Sequence, residues 1–165
     1  MKTLLILRHA KSSWDDASIS DFERPLNARG LRAAPFMGGL MRRRELVPDI
    51  ILSSPAMRAR TTAELVQQGG AFDAEIKFDH DIYEASPGNL RQAVAAIDDE
   101  ITAALLVGHN PGIEGFIRYL TGKLEPMPTA ALAVIELEVD SWSDVSDNCG
   151  ELKTVIRPKN EMENR

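Results

Sequence analysis

Three short apolar runs constrain this chain more than any other feature. Residues 3–8, 49–53 and 103–108 are rich in Leu, Ile and Val, and Pro, Gly, Ser or Asn bounds them. Runs of this kind, without polar alternation, suit strands that helices cover on both faces. Helical patterns lie between and after them. After Pro55, Ala59, Ala63 and Val66 fall at i, i+4 and i+7, and after Pro87-Gly88 so do Leu90, Val94 and Ile97. After Pro111-Gly112, Ile113, Phe116, Ile117 and Leu120 fall at i, i+3, i+4 and i+7. Each set lines one face of a helix. The alternation predicts an α/β fold, a three-layer α/β/α sandwich around a mostly parallel central sheet.

The remaining segments refine this. Asn27 to about Arg44 is helix-forming, and Pro35 is expected to bend the helix or start a new one. The Arg42-Arg43-Arg44 run reads as a solvated helix end. Ile135, Leu137 and Val139 alternate with Glu136 and Glu138, which predicts a half-exposed strand. Leu152 to Ile156 is a last strand, Asp140 to Gly150 a polar connection, and residues 157–165 a frayed polar tail. The 165 residues suit one domain, 1–165, able to bury roughly 70% of its unfolded surface.

Charge and cysteine content narrow the function. Asp and Glu outnumber Lys and Arg by 25 to 19, a formal net charge of −6. That argues against nucleic acid as a partner, and its average field repels anions. Cys149 is the lone cysteine, so no intramolecular disulfide forms. The apolar run Leu4 to Leu7 is too short for a signal peptide, and nothing approaches the ~20 apolar residues of a membrane span. A cytoplasmic protein without a membrane association is expected.

In an open α/β sheet, ligands sit beyond the carboxyl ends of the strands. The first run ends in Arg8-His9-Ala10-Lys11-Ser12, the second in Ser53-Ser54-Pro55-Ala56-Met57-Arg58, and the third in Gly108-His109-Asn110-Pro111-Gly112. Parallel strand ends share one rim, so Arg8, His9, Arg58 and His109 can converge there. Two guanidiniums and two imidazoles make an anion site, and Arg forks match phosphate oxygens bidentately. Ser53, Ser54 and the amides opening the helix after Pro55 add donors. Neutral imidazole is a nucleophile at phosphorus, and nearby cations favour the neutral form. The bottom-up expectation is a phosphate ester or phosphoramidate handled by a histidine. No His-x-His, Glu-x-x-His or Cys cluster points to a metal, and none is expected, nor is a cofactor. His80, among carboxylates in Phe78-Asp79-His80-Asp81, reads as a solvated loop residue.

Taken in order, Leu7-Arg8-His9-Ala10-Lys11-Ser12-Ser13-Trp14, Ser53 to Thr62 and Val107-Gly108-His109-Asn110 resemble the histidine phosphatase superfamily, also called phosphoglycerate-mutase-like. The resemblance spans most of residues 3–122. Within it the chain looks most like the short SixA-type phosphohistidine phosphatases, on Arg-His-Ala-Lys-Ser-Ser-Trp, Asp21 to Asn27 and Gly-His-Asn-Pro-Gly. The stretch from Arg58 to His109 leaves little room for the lid insertions of larger mutases. The resemblance implies a metal-independent phosphatase that removes phosphate from a phosphorylated histidine on a protein. His9 would be the nucleophile that becomes phosphohistidine, Arg8 and Arg58 the clamp on the phosphoryl oxygens, and His109 a donor to one of them. Glu84 is the positional candidate for the general acid, and Ser12 and Arg24 are candidate phosphate contacts. Ala10 stands where the wider superfamily has Gly. Asp15 stands where many relatives carry a phosphate-holding Asn, and it is left out of the site because a carboxylate repels a dianion.

Two other readings remain open at this point: a phosphatase for small phosphate esters, and a phosphate-binding module without catalysis. Trp14 is a candidate for the pocket flank and Lys11 a solvated lysine. Trp142 and Cys149 read as packing or loop residues, and Asn110 as support for the turn before Pro111-Gly112.

Overall fold

The computed structural model describes residues 1–163. Its sheet has six strands: β1 (Lys2–Arg8), β2 (Ile50–Ser53), β3 (Glu75–Phe78), β4 (Ala103–Gly108), β5 (Leu132–Leu137) and β6 (Gly150–Ile156). They lie in the order β3-β2-β4-β1-β5-β6. The three ladders among β3, β2, β4 and β1 are parallel, while β5 is antiparallel to both β1 and β6. Five α-helices lie among the described residues: α1 (Ala28–Arg43), α2 (Met57–Gly70), α3 (Pro87–Ala95), α4 (Gly112–Thr121) and α5 (Pro158–Glu163).

The central strands alternate their buried side chains between two cores. Leu4, Ile6, Ala104 and Leu106 join Leu90, Val94, Ile113, Phe116, Ile117 and Leu120 of α3 and α4. Leu5, Leu7, Leu105 and Val107 join Ala34, Met37, Met41, Ala59, Ala63 and Val66 of α1 and α2. This is the expected three-layer α/β/α sandwich, and the helix faces read from the sequence are the ones that pack. Burial of aliphatic side chains at about 1.5–3 kcal/mol each makes these two layers the main source of stability. Among the described residues, no helix is long and apolar enough to cross a membrane.

Four local expectations change. First, α1 continues through Pro35 as one helix. The carbonyl of Leu31 loses its intrahelical donor there, but Leu31 is on the exposed side, where water can serve it. Second, β5 begins at Leu132 and is almost wholly buried, with only Glu136 partly exposed. The Glu136 and Glu138 alternation had suggested a later, half-exposed strand; Glu138 lies beyond the end of β5. Third, β3 is an edge strand that the short, charged sequence Glu75-Ile76-Lys77-Phe78 did not announce. Fourth, residues 158–163 of the expected frayed tail form α5, with residues 164–165 outside the described residues. Pro158 opens it, Arg157 pairs with Glu125 at 2.7 Å, and Arg44, just beyond the end of α1, pairs with Glu161 at 2.9 Å. Within the 140–150 connection, Trp142 is fully buried and donates its Nε1–H to the Ile101 carbonyl at 2.9 Å.

Candidate active site

Strand register assembles the site. Arg8 of β1 lies opposite Gly108 of β4, so the next residues, His9 and His109, emerge side by side. The His9 amide donates to the Gly108 carbonyl at 3.0 Å, and the ring centroids are 5.1 Å apart. On the other side of β4, Ser53 of β2 lies opposite Val107. Ser54 therefore reaches His109, with its Oγ 2.8 Å from Nε2. Arg58 enters from the first turn of α2, a helix whose N-cap, Ala56, provides no side-chain cap. Helix amides without side-chain caps favour an anion nearby.

Thr62 ties two of these segments together. Its hydroxyl donates to the Arg58 carbonyl at 2.6 Å and accepts from the Ala10 amide at 3.0 Å. Gly112, at the start of α4, permits the last close approach: a Cβ there would lie 2.3 Å from the Ala85 carbonyl oxygen. That contact holds the Glu84-Ala85 segment against the His109 loop.

The chemistry of His9 follows from its hydrogen bond. Its Nδ1 lies 2.8 Å from the carbonyl oxygen of Ala10. A carbonyl only accepts, so Nδ1 carries the proton and Nε2 keeps its lone pair in the neutral ring. The ring is 6% exposed. Burial pushes its pKa down to about 4, with the charges of Arg58, Arg8 and Arg24 acting in the same direction and the Ala10 bond opposing. His109 is pushed down to about 3, first by burial and then by His9 and Arg58. Both rings are neutral near pH 7.

Charge is concentrated around them. Arg58 is 6% exposed and donates from Nη1 to the Asp21 carbonyl at 2.6 Å and from Nη2 to the Asp21 carboxylate at 3.1 Å. Arg8 donates to the Met127 carbonyl at 3.1 Å. Met127 is held in turn by Glu114 and Asn110: its amide donates to Glu114 at 3.0 Å, and Asn110 donates to its carbonyl at 3.0 Å. The Nε groups of Arg8, Arg24 and Arg58 and the Nδ1 of His109 are buried without a hydrogen-bond partner among the described residues. Buried donors of this kind cost stability unless an acceptor meets them, and an oxyanion supplies several acceptors at once.

Two acidic or phenolic groups at the mouth were not singled out from the sequence. Asp21, 48% exposed, accepts from the Tyr83 hydroxyl at 2.6 Å and from Arg24 at 3.1 Å as well as from Arg58. The Tyr83 hydrogen bond, with the two arginines, holds its carboxyl well below the ordinary range. Burial and Asp21 push Tyr83 up to about 12. The Tyr83 ring stands edge-on to His109, with centroids 5.6 Å apart. These contacts join residues 37 and 62 positions apart, which no local pattern reveals.

The other expected residues are placed as follows. Arg24 reaches the site, where its charge acts on His9. It donates to Ser12 and stacks over Trp14, its Cζ 3.7 Å from the ring centroid. Ser12 is thus buried as the acceptor for Arg24. Glu84 is exposed and has a left-handed backbone with φ 53°. It lines a cavity of about 310 Å³ with Asp21, Arg58, Tyr83, Ala85, His109 and the Asn110–Gly112 turn. Asp15 is exposed. His80 is exposed and packs against Phe22 and Tyr83, with centroids at 5.7 and 6.0 Å. Among the described residues, no group of three or more His, Cys, Asp or Glu side chains is arranged to hold a metal ion.

Comparison with known proteins bears on this arrangement. A family model for the histidine phosphatase superfamily (branch 1) matches residues 4–111. An uncharacterized protein of Mycobacterium tuberculosis is 34% identical over 157 residues, covering 88% of this chain and 96% of the relative. A solved structure assigned as the phosphohistidine phosphatase SixA of Agrobacterium tumefaciens is 29% identical, with a TM-score of 0.80 over 95% of this chain and 99% of that one. The structure of the protein histidine phosphatase SixA complexed with tungstate has the same fold, with a TM-score of 0.84 at 21% identity over 96% and 99%.

Proposed function

The chain belongs to the histidine phosphatase superfamily, and from that premise we propose that it removes phosphate from phosphohistidine on a protein, as a single catalytic domain and without a metal. One observation carries the reading: the bond from Nδ1 to the Ala10 carbonyl leaves Nε2 of a neutral His9 free among Arg8, Arg58 and His109. Likeness to the SixA structures supports the choice of substrate class.

In this mechanism Nε2 of His9 attacks the phosphorus of the bound phosphohistidine. The P–N bond to the substrate imidazole breaks, and that nitrogen leaves with the electron pair and takes a proton. Glu84, on the cavity wall, is the candidate donor. Arg8 and Arg58 bind the phosphoryl oxygens, and Arg58 exchanges its Asp21 carboxylate contact for them. Ser54 accepts from the Ala56 amide, so its hydroxyl is free to donate to Nε2 of His109. The ring proton of His109 then sits on Nδ1, ready for a phosphoryl oxygen. Ser12 serves by orienting Arg24. Water next attacks the phosphorus of phospho-His9, the second P–N bond breaks, its electrons return to Nε2, and inorganic phosphate leaves.

The test is acid-free trapping followed by mass spectrometry, with a phosphohistidine peptide as substrate. One phosphoryl group is expected on the peptide containing His9, and His9→Ala should abolish turnover while the fold persists. A His9→Ala protein with the parent rate would refute the nucleophile. A higher kcat/KM for p-nitrophenyl phosphate than for the phosphohistidine peptide would point to small phosphate esters. Phosphate binding with no turnover of either would mark a binding module.

A further inference from the structure

A second cavity, of about 560 Å³, opens on the same rim of the sheet as the candidate active site. Lys11, Arg29, Arg32, Arg157 and Lys159 line it, with no carboxylate among the described residues of its wall. The active-site cavity is walled by residues that follow β1, β2, β3 and β4, among them Asp21, Arg58, Tyr83 and His109, whereas this cleft is walled by residues that follow β1 and β6 and precede β5. The His9 segment is the ridge between them. Lys11 is two positions beyond His9, and the Ala130 amide, from the cleft wall, donates to the Arg8 and His9 carbonyls at 3.0 and 3.1 Å.

Its charge is largely uncompensated. Arg157 pairs with Glu125, but Lys11, Arg29, Arg32 and Lys159 make no ion pair with a described residue. In a chain of net charge −6, four such cations in one cleft form a local field of opposite sign. The cations are exposed and come from α1, α5 and the loop after β1. A buried pocket for a small anion would need convergent, desolvated donors. Exposed cations spread over three elements instead match the several carboxylates of an extended chain.

We infer that this cleft docks an acidic segment of the protein substrate while its phosphohistidine lies on the other side of the His9 ridge. The inference rests on the proposed activity, and it adds the partner's chemistry: a run of Asp and Glu near the phosphorylated histidine. Nucleic acid is the other polyanion a basic cleft can take, and the overall acidity disfavours it.

Two phosphohistidine peptides test this, one with a tail of six Glu and one with six Gln. At low salt the Glu-tailed peptide should have a kcat/KM about tenfold higher, the sum of three exposed charge pairs. The variant Arg29→Gln/Arg32→Gln/Lys159→Gln should lose that preference and still hydrolyse the Gln-tailed peptide at the parent rate. High salt should erase the preference in the parent protein. Equal kcat/KM for the two peptides, or a preference that survives the triple substitution, would overturn the docking site. Fluorescence anisotropy with the unphosphorylated Glu-tailed peptide separates this from the activity. If neither peptide is hydrolysed, the phosphohistidine reading fails, and binding that the triple substitution removes still establishes the cleft. A single-stranded oligonucleotide that binds as tightly as the Glu-tailed peptide would overturn its assignment to a protein.

Discussion

At pH 5.5 an ordinary histidine is mostly protonated, whereas His9 should still be neutral. The ring is 6% exposed, and burial is the main reason its pKa falls to about 4, with Arg58, Arg8 and Arg24 adding to it. A pKa of about 4 leaves about 97% of the ring neutral at pH 5.5, against about 9% for the ordinary value near 6.5. The nucleophilic form is therefore about tenfold more abundant there than in a solvated histidine. The same shift enters stability. The folded pKa is depressed, so between about 6.5 and 4 the unfolded chain binds the extra proton. Stability falls as pH drops through 6.5 and levels off, for this group, below about 4. Lowering the pH from 8 to 5 costs on the order of 2 kcal/mol through His9. NMR titration of the ring carbons in phosphate-free buffer, assigned with a His9→Asn variant, reads the pKa directly. Urea unfolding at pH 8 and pH 5, compared between the parent and His9→Asn, reads the linkage apart from that of His109, whose pKa is lowered too, and the acid limb of kcat/KM for an uncharged-tail peptide should extend toward pH 4. Arg58→Gln removes one cation and leaves the burial, so the midpoint should rise and stay below 6.5. A parent midpoint near 6.5 would refute the argument, and a full return to 6.5 in Arg58→Gln would refute burial as the main cause.

Other outcomes follow from the packing and from the Asp21 contacts. Tyr83→Phe removes the 2.6 Å bond to Asp21 and loosens its carboxylate from Arg58, so the inhibition constant for inorganic phosphate should fall about threefold in steady-state assays. Gly38→Ala and Gly39→Ala should differ in sign. A Cβ at Gly38 would lie 2.2 Å from the Val66 carbonyl oxygen of α2, so the α1–α2 contact must open at a cost of about 3 kcal/mol or more. At Gly39 the nearest atoms are 3.4 Å or more away, and helix propensity should stabilise the protein by about 0.5 kcal/mol or more, read by thermal and urea unfolding. Trp142→Ala empties a fully buried site and frees the Ile101 carbonyl, a loss of about 3–5 kcal/mol in urea unfolding.

The helix faces and the buried strands were legible because periodicity is local: Ile113, Phe116, Ile117 and Leu120 sit where their spacing puts them. Arg8, His9, Arg58 and His109 were legible for another reason. Each follows a buried run, and parallel strands bring such ends to one rim. What escaped depends on distant pairing. Tyr83 and Asp21 meet across 62 positions, and nothing near either residue marks the contact. The short, exposed β3 offers no run of apolar residues, since it forms by pairing with β2 at a sheet edge. The antiparallel direction of β5 was hidden as well, because a strand buried on both faces has the same composition in either direction.

The contact between His9 and its own neighbour in the chain has a genetic consequence. In many enzymes the tautomer of a catalytic histidine depends on a carboxylate side chain, which a single codon change can delete. Here the acceptor is the peptide carbonyl of Ala10. Every amino acid has that group, so no replacement at position 10 removes it. Substitutions there can act only by moving the backbone, which the Thr62 hydroxyl anchors at the Ala10 amide. The orientation of the proposed nucleophile is thus shielded from deletion of a side chain at position 10, and it is lost instead by a backbone shift, through loss of the Thr62 hydroxyl or through a larger side chain at the fully buried position 10.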